Sequence, residues 1–146
     1  MRSLNAKGVY FAGWVTIALS FFFLIWVFVS LVWPFDVLDV DYQSSFVVPS
    51  KNFQPGDDLV VSFTGCKNID VVKTVTVNLI GETIISVPSY TSNLPIGCYN
   101  TTTPIVKLPT TLASGWYRAR ITYEYHINVI RTVTYHFETN QFFVTK

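Results

Sequence analysis

The most constraining feature of the chain is a stretch of 25 residues from Val9 to Trp33 without a charged residue. It contains no Asp, Glu, Lys, Arg, His, Asn or Gln, and it stops just before Pro34. A helix of that length extends about 37 Å, which exceeds the roughly 30 Å of hydrocarbon in a bilayer. We therefore expect a membrane-spanning helix over residues 9–33, preceded by a short segment of residues 1–8.

The charges on either side of this stretch predict its orientation. Arg2 and Lys7 precede it without an acidic residue, whereas Asp36, Asp39 and Asp41 follow it. The positive-inside rule then predicts a cytoplasmic N-terminus and a periplasmic or extracellular C-terminal domain. The aromatic residues expected to anchor the helix in the lipid are Tyr10, Trp14, Trp26 and Trp33.

A cleaved signal peptide is the alternative interpretation of the same stretch. Its apolar part is normally about 7–15 residues long and ends in small residues. Cleavage after the only such pair, Ala18 and Ser20, would leave residues 21–33 as an exposed apolar tail. We therefore expect a signal-anchor that stays attached.

The remaining 113 residues are enough for one domain and not for two. We expect a juxtamembrane linker over residues 34–45 and a folded domain over residues 46–146. Its eight Lys and Arg residues nearly balance nine Asp and Glu residues. A nucleic-acid partner is not expected, because that would require clustered positive charge.

Cys66 and Cys98 both follow the predicted span, on the side where oxidation is normal. A single disulfide between them is the natural expectation. Two buried free thiols are the alternative. No pair of cysteines has the spacing of a zinc or redox motif.

The outer part has the pattern of an all-β domain, because β-branched and aromatic residues alternate with polar ones between regular turn signals. The strands predicted before the final hairpin are Phe46–Pro49, Leu59–Phe63, Val71–Leu79, Thr83–Val87 and Val106–Leu108. With the hairpin this makes about seven strands, which predicts an immunoglobulin-like β-sandwich.

The final hairpin has the clearest alternation. One face carries Tyr117, Ala119, Ile121, Tyr123, Tyr125, Val133, Tyr135 and Phe137. A loop at residues 128–130 keeps these side chains together and places Arg120 opposite Glu138.

Two short motifs resemble known domains. The Gln54-Pro55-Gly56-Asp57 turn and the Gly115-Trp116-Tyr117 start of a strand are similar to bacterial and phage immunoglobulin-like or fibronectin-III-like modules. The resemblance places Tyr117 near a tyrosine corner. The layout of one span and one such domain resembles small phage-encoded membrane-anchored proteins, and it implies no functional residues.

Metal binding and catalysis find little support in the sequence. A two-histidine site at His126 and His136 is less expected than two solvated strand residues. The aspartates after the span lack EF-hand spacing, so a solvated acidic collar is favoured over a calcium site. No catalytic motif or cofactor motif is present, and neither an enzyme nor a cofactor is expected.

The function predicted from the sequence is that of a membrane-anchored binding or structural module. Its partners would be membrane lipid and another membrane or envelope protein. It would act either in a virion membrane or in a host envelope that a phage modifies. The expected contact surface comprises Arg118, Arg120, Glu124, His126 and His136, together with Tyr90 and Asn93. The alternative is an accessory subunit of a membrane complex, in which the helix makes the main contact.

Overall fold

The computed structural model describes residues 6–32 and 36–145. These residues form one helix and nine strands. The elements are α1 (Ala6–Val32), β1 (Leu38–Val40), β2 (Asn52–Phe53), β3 (Asp58–Lys67), β4 (Lys73–Ile80), β5 (Ile84–Ser92), β6 (Gly97–Lys107), β7 (Gly115–Asn128), β8 (Arg131–Glu138) and β9 (Phe142–Val144). The chain divides into two compact units between Pro34 and Phe35.

The helix α1 presents an apolar surface on every side. From Tyr10 to Leu31 it is long and apolar enough to cross a membrane, which agrees with the predicted span. The hydroxyl of Thr16 donates to the Ala12 carbonyl at 3.0 Å, so this polar group is satisfied within the helix. The predicted anchors Tyr10, Trp14 and Trp26 have exposed side chains on α1, whereas Trp33 lies outside the described residues.

The described strands form two sheets. Sheet 1 has the order β1-β3-β6, and sheet 2 has the order β2-β9-β7-β4-β5 with β8 also paired to β7. All pairings are antiparallel except that of β2 with β9, which is parallel. The fold is therefore mostly β, with sheets arranged as in a β-sandwich.

The two sheets enclose one continuous hydrophobic core. Leu59, Val61 and Phe63 reach it from β3, and every second residue from Tyr117 to Tyr125 reaches it from β7. Alternate side chains of a strand point to opposite faces, so one face of each strand is buried and the other meets solvent. The predicted apolar face of the last hairpin is confirmed.

The Cys66–Cys98 disulfide is present. The two cysteines are directly opposite each other in the β3–β6 pair, so the bridge joins neighbouring strands of sheet 1. This confirms the predicted pairing. It closes a loop with a sequence separation of 32, worth about 3–4 kcal/mol in the chain-entropy account.

The prediction for the start of the domain was wrong. The strand β1 lies within the predicted linker, and Val37, Leu38 and Val40 belong to the core. The predicted strand Phe46–Pro49 does not form, and Phe46 has a left-handed backbone with φ of 61°. The strand β1 consists of only three residues, which pair with the end of β3. A segment this short has no periodicity that the sequence could reveal.

The aromatic ring of Phe46 explains why its unusual backbone is retained. It is 3% exposed and stacks on Phe137 with the ring centroids 3.9 Å apart. Its edges also meet Phe63 and Tyr123, at 5.8 and 5.9 Å. A left-handed conformation is unfavourable for a bulky residue, so contacts in the core must offset that cost.

Two other predicted strands are longer than expected. Thr83–Val87 corresponds to β5, which continues to Ser92, and Val106–Leu108 covers only the end of β6. Most of β6 is an exposed polar strand around residues 100–103. Such a strand lacks the apolar alternation that sequence patterns detect.

The chain between β1 and β2 passes from sheet 1 to sheet 2, and Asn140 fixes this passage. The Asn140 Oδ1 accepts a hydrogen bond from the Val48 N–H at 2.7 Å, and its Nδ2 donates to the Val48 carbonyl at 3.3 Å. The Asn140 side-chain amide thus forms the two hydrogen bonds that a neighbouring strand would otherwise form with the Val48 backbone. Asn140 itself lies in the short break between β8 and β9.

Replacing Asn140 by alanine is expected to lower the free energy of unfolding by about 1–2 kcal/mol, because both hydrogen bonds to Val48 are lost. Denaturant unfolding of the full chain in detergent, followed by circular dichroism, measures the change. Gln141→Ala, at the exposed neighbouring residue, is the control and should have little effect. Equal losses in the two variants would contradict the role assigned to Asn140.

Candidate functional site

The outward surface of sheet 2 contains most of the predicted contact residues. Its central row is the solvent-facing side of β7, and side chains directly opposite on neighbouring strands share that face. We call this surface the β7 outer face. It comprises Trp116, Arg118, Arg120, Thr122, Glu124 and His126 of β7, with Thr74, Thr76 and Asn78 of β4 and Thr132, Thr134, His136 and Glu138 of β8.

Arg120 and Glu138 form an ion pair across β7 and β8, as predicted from the register. Arg120 Nε and Nη2 both donate to Glu138 Oε1, at 2.9 and 2.7 Å. Each side chain is nearly half exposed, so the pair contributes less than about 1 kcal/mol. Its main effect is to fix the alignment of the two strands.

The two histidines of the β7 outer face bond to separate threonines. His126 Nδ1 lies 3.0 Å from Thr132 Oγ1, and His136 Nδ1 lies 3.1 Å from Thr122 Oγ1. They occupy different rows of the register, so they are not opposite each other. In the part of the chain that the structure describes, no three His, Cys, Asp or Glu side chains form a group able to hold a metal ion.

Tyr90 and Asn93 do not belong to this surface, so the predicted contact set is divided. Tyr90 lies opposite Val75, whose side chain is buried in the core, and therefore points to the inner face of the sheet, where on the edge strand β5 it is still 39% exposed. A register shift between Val75 and Val77 causes this, because an extra residue in β5 reverses the direction of those after it. Asn93 Oδ1 instead accepts a hydrogen bond from Lys67 Nζ at 3.0 Å.

Trp116 is a candidate contact residue that the sequence-based contact set missed. It is 58% exposed, and its ring meets Phe143 edge-on with the centroids 5.1 Å apart. It lines a cavity of about 480 Å³ together with Glu82, Thr83 and residues 113–117. Extending the alternation of β7 back from Arg118 by two residues would have found it.

A second concave surface lies on sheet 1 beside the disulfide. It has a volume of about 450 Å³ and is lined by Asp39, Asp41, Thr64, Asn100 and the two cysteines, among others. Asp41 accepts hydrogen bonds from Ser44 Oγ at 2.6 Å and from the Gln43 N–H at 3.0 Å. These bonds hold the pKa of Asp41 below its ordinary value, and they fix the turn that follows it at residues 42–44.

Two buried lysines lie where the sheets meet. Lys67 and Lys73 are 3% and 6% exposed, and Lys73 Nζ sits over the Tyr123 ring, 3.9 Å from its centroid. Burial, and then the charge of Lys67, lower the pKa of Lys73 to about 8. Burial also lowers the pKa of Lys67 and raises that of Tyr125 to about 12. Their low exposure makes these lysines determinants of stability rather than reactive groups.

The free energy of unfolding is expected to rise between about pH 8 and pH 10. In this range the unfolded chain keeps a proton on Lys73, whose ordinary pKa is 10.5, while the folded chain has released it. Above about pH 10 the buried tyrosines act in the opposite sense, since they stay protonated only in the folded state.

Lys73→Met should therefore stabilise the fold near pH 7 by up to about 3 kcal/mol and make the rise with pH shallower. Denaturant unfolding at about pH 7 and about pH 9.5 measures both effects. The exposed Lys107→Met is the control, and it should retain the pH dependence of the parent chain. An unchanged slope in Lys73→Met would contradict this account.

No protein-family model and no curated protein matches the chain.

Proposed function

We propose that this chain is a single-pass membrane protein whose immunoglobulin-like domain binds another membrane or envelope protein on the non-cytosolic side. The observation that carries the proposal is the β7 outer face, where an exposed tryptophan shares one face of paired strands with arginine, glutamate and histidine side chains. The sequence resemblance suggests two settings, a host envelope modified by a phage and a virion membrane.

The anchor is supported by the chemistry of α1. Its side chains from Tyr10 to Leu31 are apolar or small, and Thr16 has an internal hydrogen bond. A helix satisfies its backbone hydrogen-bonding groups within itself, which is the requirement for a segment that crosses hydrocarbon. The positive residues before it and the aspartates after it favour an exported C-terminal domain.

An immunoglobulin-like identity for the domain is supported by its strand order. The chain begins in sheet 1, moves to sheet 2, and there pairs β2 in parallel with the final strand β9. The Tyr117 hydroxyl donates to the Ala113 carbonyl at 3.0 Å, as in a tyrosine corner. The disulfide differs from that of antibody domains, because it lies within one sheet.

Protein binding is favoured by the residue types on the β7 outer face. Tryptophan and arginine are the commonest residues that dominate binding energy at interfaces. Trp116 and Arg118 are both exposed and lie on the same side of one strand. Paired strands hold their backbones in place, so little conformational freedom is lost on binding.

A second candidate function follows from the aromatic surface of α1. Phe23 and Trp26 are exposed, with their ring centroids 6.1 Å apart, and such side chains also pack against other helices in a membrane. In this alternative the chain is an accessory subunit, and α1 rather than the domain contacts the complex. Replacing α1 by an unrelated span of equal length separates the two, since only the first function survives the exchange.

Trp116→Ala and Arg118→Ala in the full-length membrane protein should each reduce recovery of a cross-linked partner on the order of tenfold, the effect of removing one dominant contact. Cross-linking in intact membranes followed by mass spectrometry measures the recovery. Thr102→Ala and Lys107→Ala, at exposed positions of β6, are the controls. Unchanged recovery in both test variants would remove the β7 outer face as the binding surface.

A further inference from the structure

Four of the exposed aliphatic side chains of the domain lie in three of its loops. Val129 is 91% exposed, Ile96 58%, Val72 50% and Ile130 44%. Val129 and Ile130 form the β7–β8 turn, Ile96 directly precedes β6, and Val72 directly precedes β4. Isolated exposed aliphatic residues are common, but a group at one end of a domain indicates a contact surface.

The sheet register brings these loops to one end. In sheet 1, Lys67 at the end of β3 lies opposite both Leu38 of β1 and Gly97 of β6. The loops that contain Val72 and Ile96 are therefore located where the chain enters β1. We call this the Asp36 end of the domain.

Hydrogen bonds join the two sheets at this end. Lys67 Nζ donates to Asn93 Oδ1 at 3.0 Å and to the Leu94 carbonyl at 2.5 Å. In sheet 2, Lys73 lies opposite Ser92 and Tyr125, so the start of β4 and the end of β5 are also here. Beyond Tyr125, β7 continues for three residues to Asn128, or about 10 Å, which carries the β7–β8 turn outward.

The Asp36 end cannot be far from the surface of the membrane that α1 is proposed to span. Only three residues separate Val32, the end of α1, from Asp36, and the four steps from Val32 to Asp36 extend at most about 14 Å. Asn68 holds Asp36 in the domain, since its Nδ2 donates to the Asp36 carbonyl at 3.0 Å and its N–H to the Val37 carbonyl at 3.0 Å.

We propose that the Asp36 end docks on the bilayer, with Val72, Ile96, Val129 and Ile130 buried in the interfacial layer of the lipid. This inference rests on the proposed membrane anchor. Burial of apolar side chains at the interface drives the docking.

Lipid charge contributes little to this contact. The carboxylates at this end, Asp36 and Asp70, are exposed, whereas Lys67 and Lys73 are buried and Arg131 is half-buried. The exposed surface therefore has no excess of positive charge toward anionic headgroups, and docking should not require anionic lipid.

The test uses the full-length chain in phosphatidylcholine vesicles that contain lipids spin-labelled near the headgroup. An environment-sensitive fluorophore is attached through Val129→Cys, or through Thr83→Cys in the β4–β5 turn at the opposite end as the matched control. The probe at position 129 should emit at shorter wavelength and be quenched several-fold more strongly than the probe at position 83. Addition of phosphatidylserine should not increase this difference.

A second variant tests the contact without a label at its centre. With the fluorophore at Ile96→Cys, the additional change Val129→Asp should reduce lipid quenching, while Thr83→Asp should not. Because Val129 is almost fully exposed, its replacement does not disturb the core.

Three results would overturn the proposal. The first is equal quenching at positions 129 and 83 in protein that resists carbonate extraction, since that resistance shows that the anchor is still in the membrane. The second is a wavelength shift that depends on protein concentration without lipid quenching, which shows contact with a second copy. The third is quenching that requires phosphatidylserine. Release of the protein by carbonate would instead show that the anchor itself is absent.

Discussion

The alternating burial of β7 is the constraint on which the rest of the domain depends. Its inward residues from Tyr117 to Tyr125 form the centre of the core, and both neighbouring sides of the strand are paired. On one side it pairs with β4, and on the other with β8 and then β9. A shift of one residue would expose the tyrosines and bury Arg118 and Arg120. The hydrophobic core therefore determines which side chains are available on the β7 outer face.

The sequence predicted the parts of the fold in which the alternation of apolar and polar residues within a single strand is long enough to recognise. The hairpin of β7 and β8, its register and the Arg120–Glu138 pair follow from a two-residue period over long segments. The disulfide follows from the position of two cysteines near the ends of neighbouring strands. The exposed polar residues of the hairpin follow from the same period, and they are found on one face.

The remaining features depend on contacts between distant residues. Phe46 has its unusual backbone because its ring packs against Phe137 of the final hairpin, so the local sequence cannot indicate it. Tyr90 faces inward because of an irregularity in β5 around Pro88, a residue that cannot donate a backbone hydrogen bond. A regular pairing would have placed Tyr90 opposite Thr74 and outward. A single inserted residue thus decides to which face of the sheet a side chain points.

The position of β1 determines how mechanical load passes through the molecule. This strand is attached to β3 by only three residue pairs, and tension on the N-terminal side of the domain reaches β1 before any other strand. The Asn68 hydrogen bonds to Asp36 and Val37, and the buried Val37 side chain, precede β1 in the chain and resist this tension first. Because Leu38 and Val40 of β1 also belong to the core, detaching β1 would open the core at the Asp36 end. Force applied at the start of the domain therefore acts on the core itself and not on a spare segment.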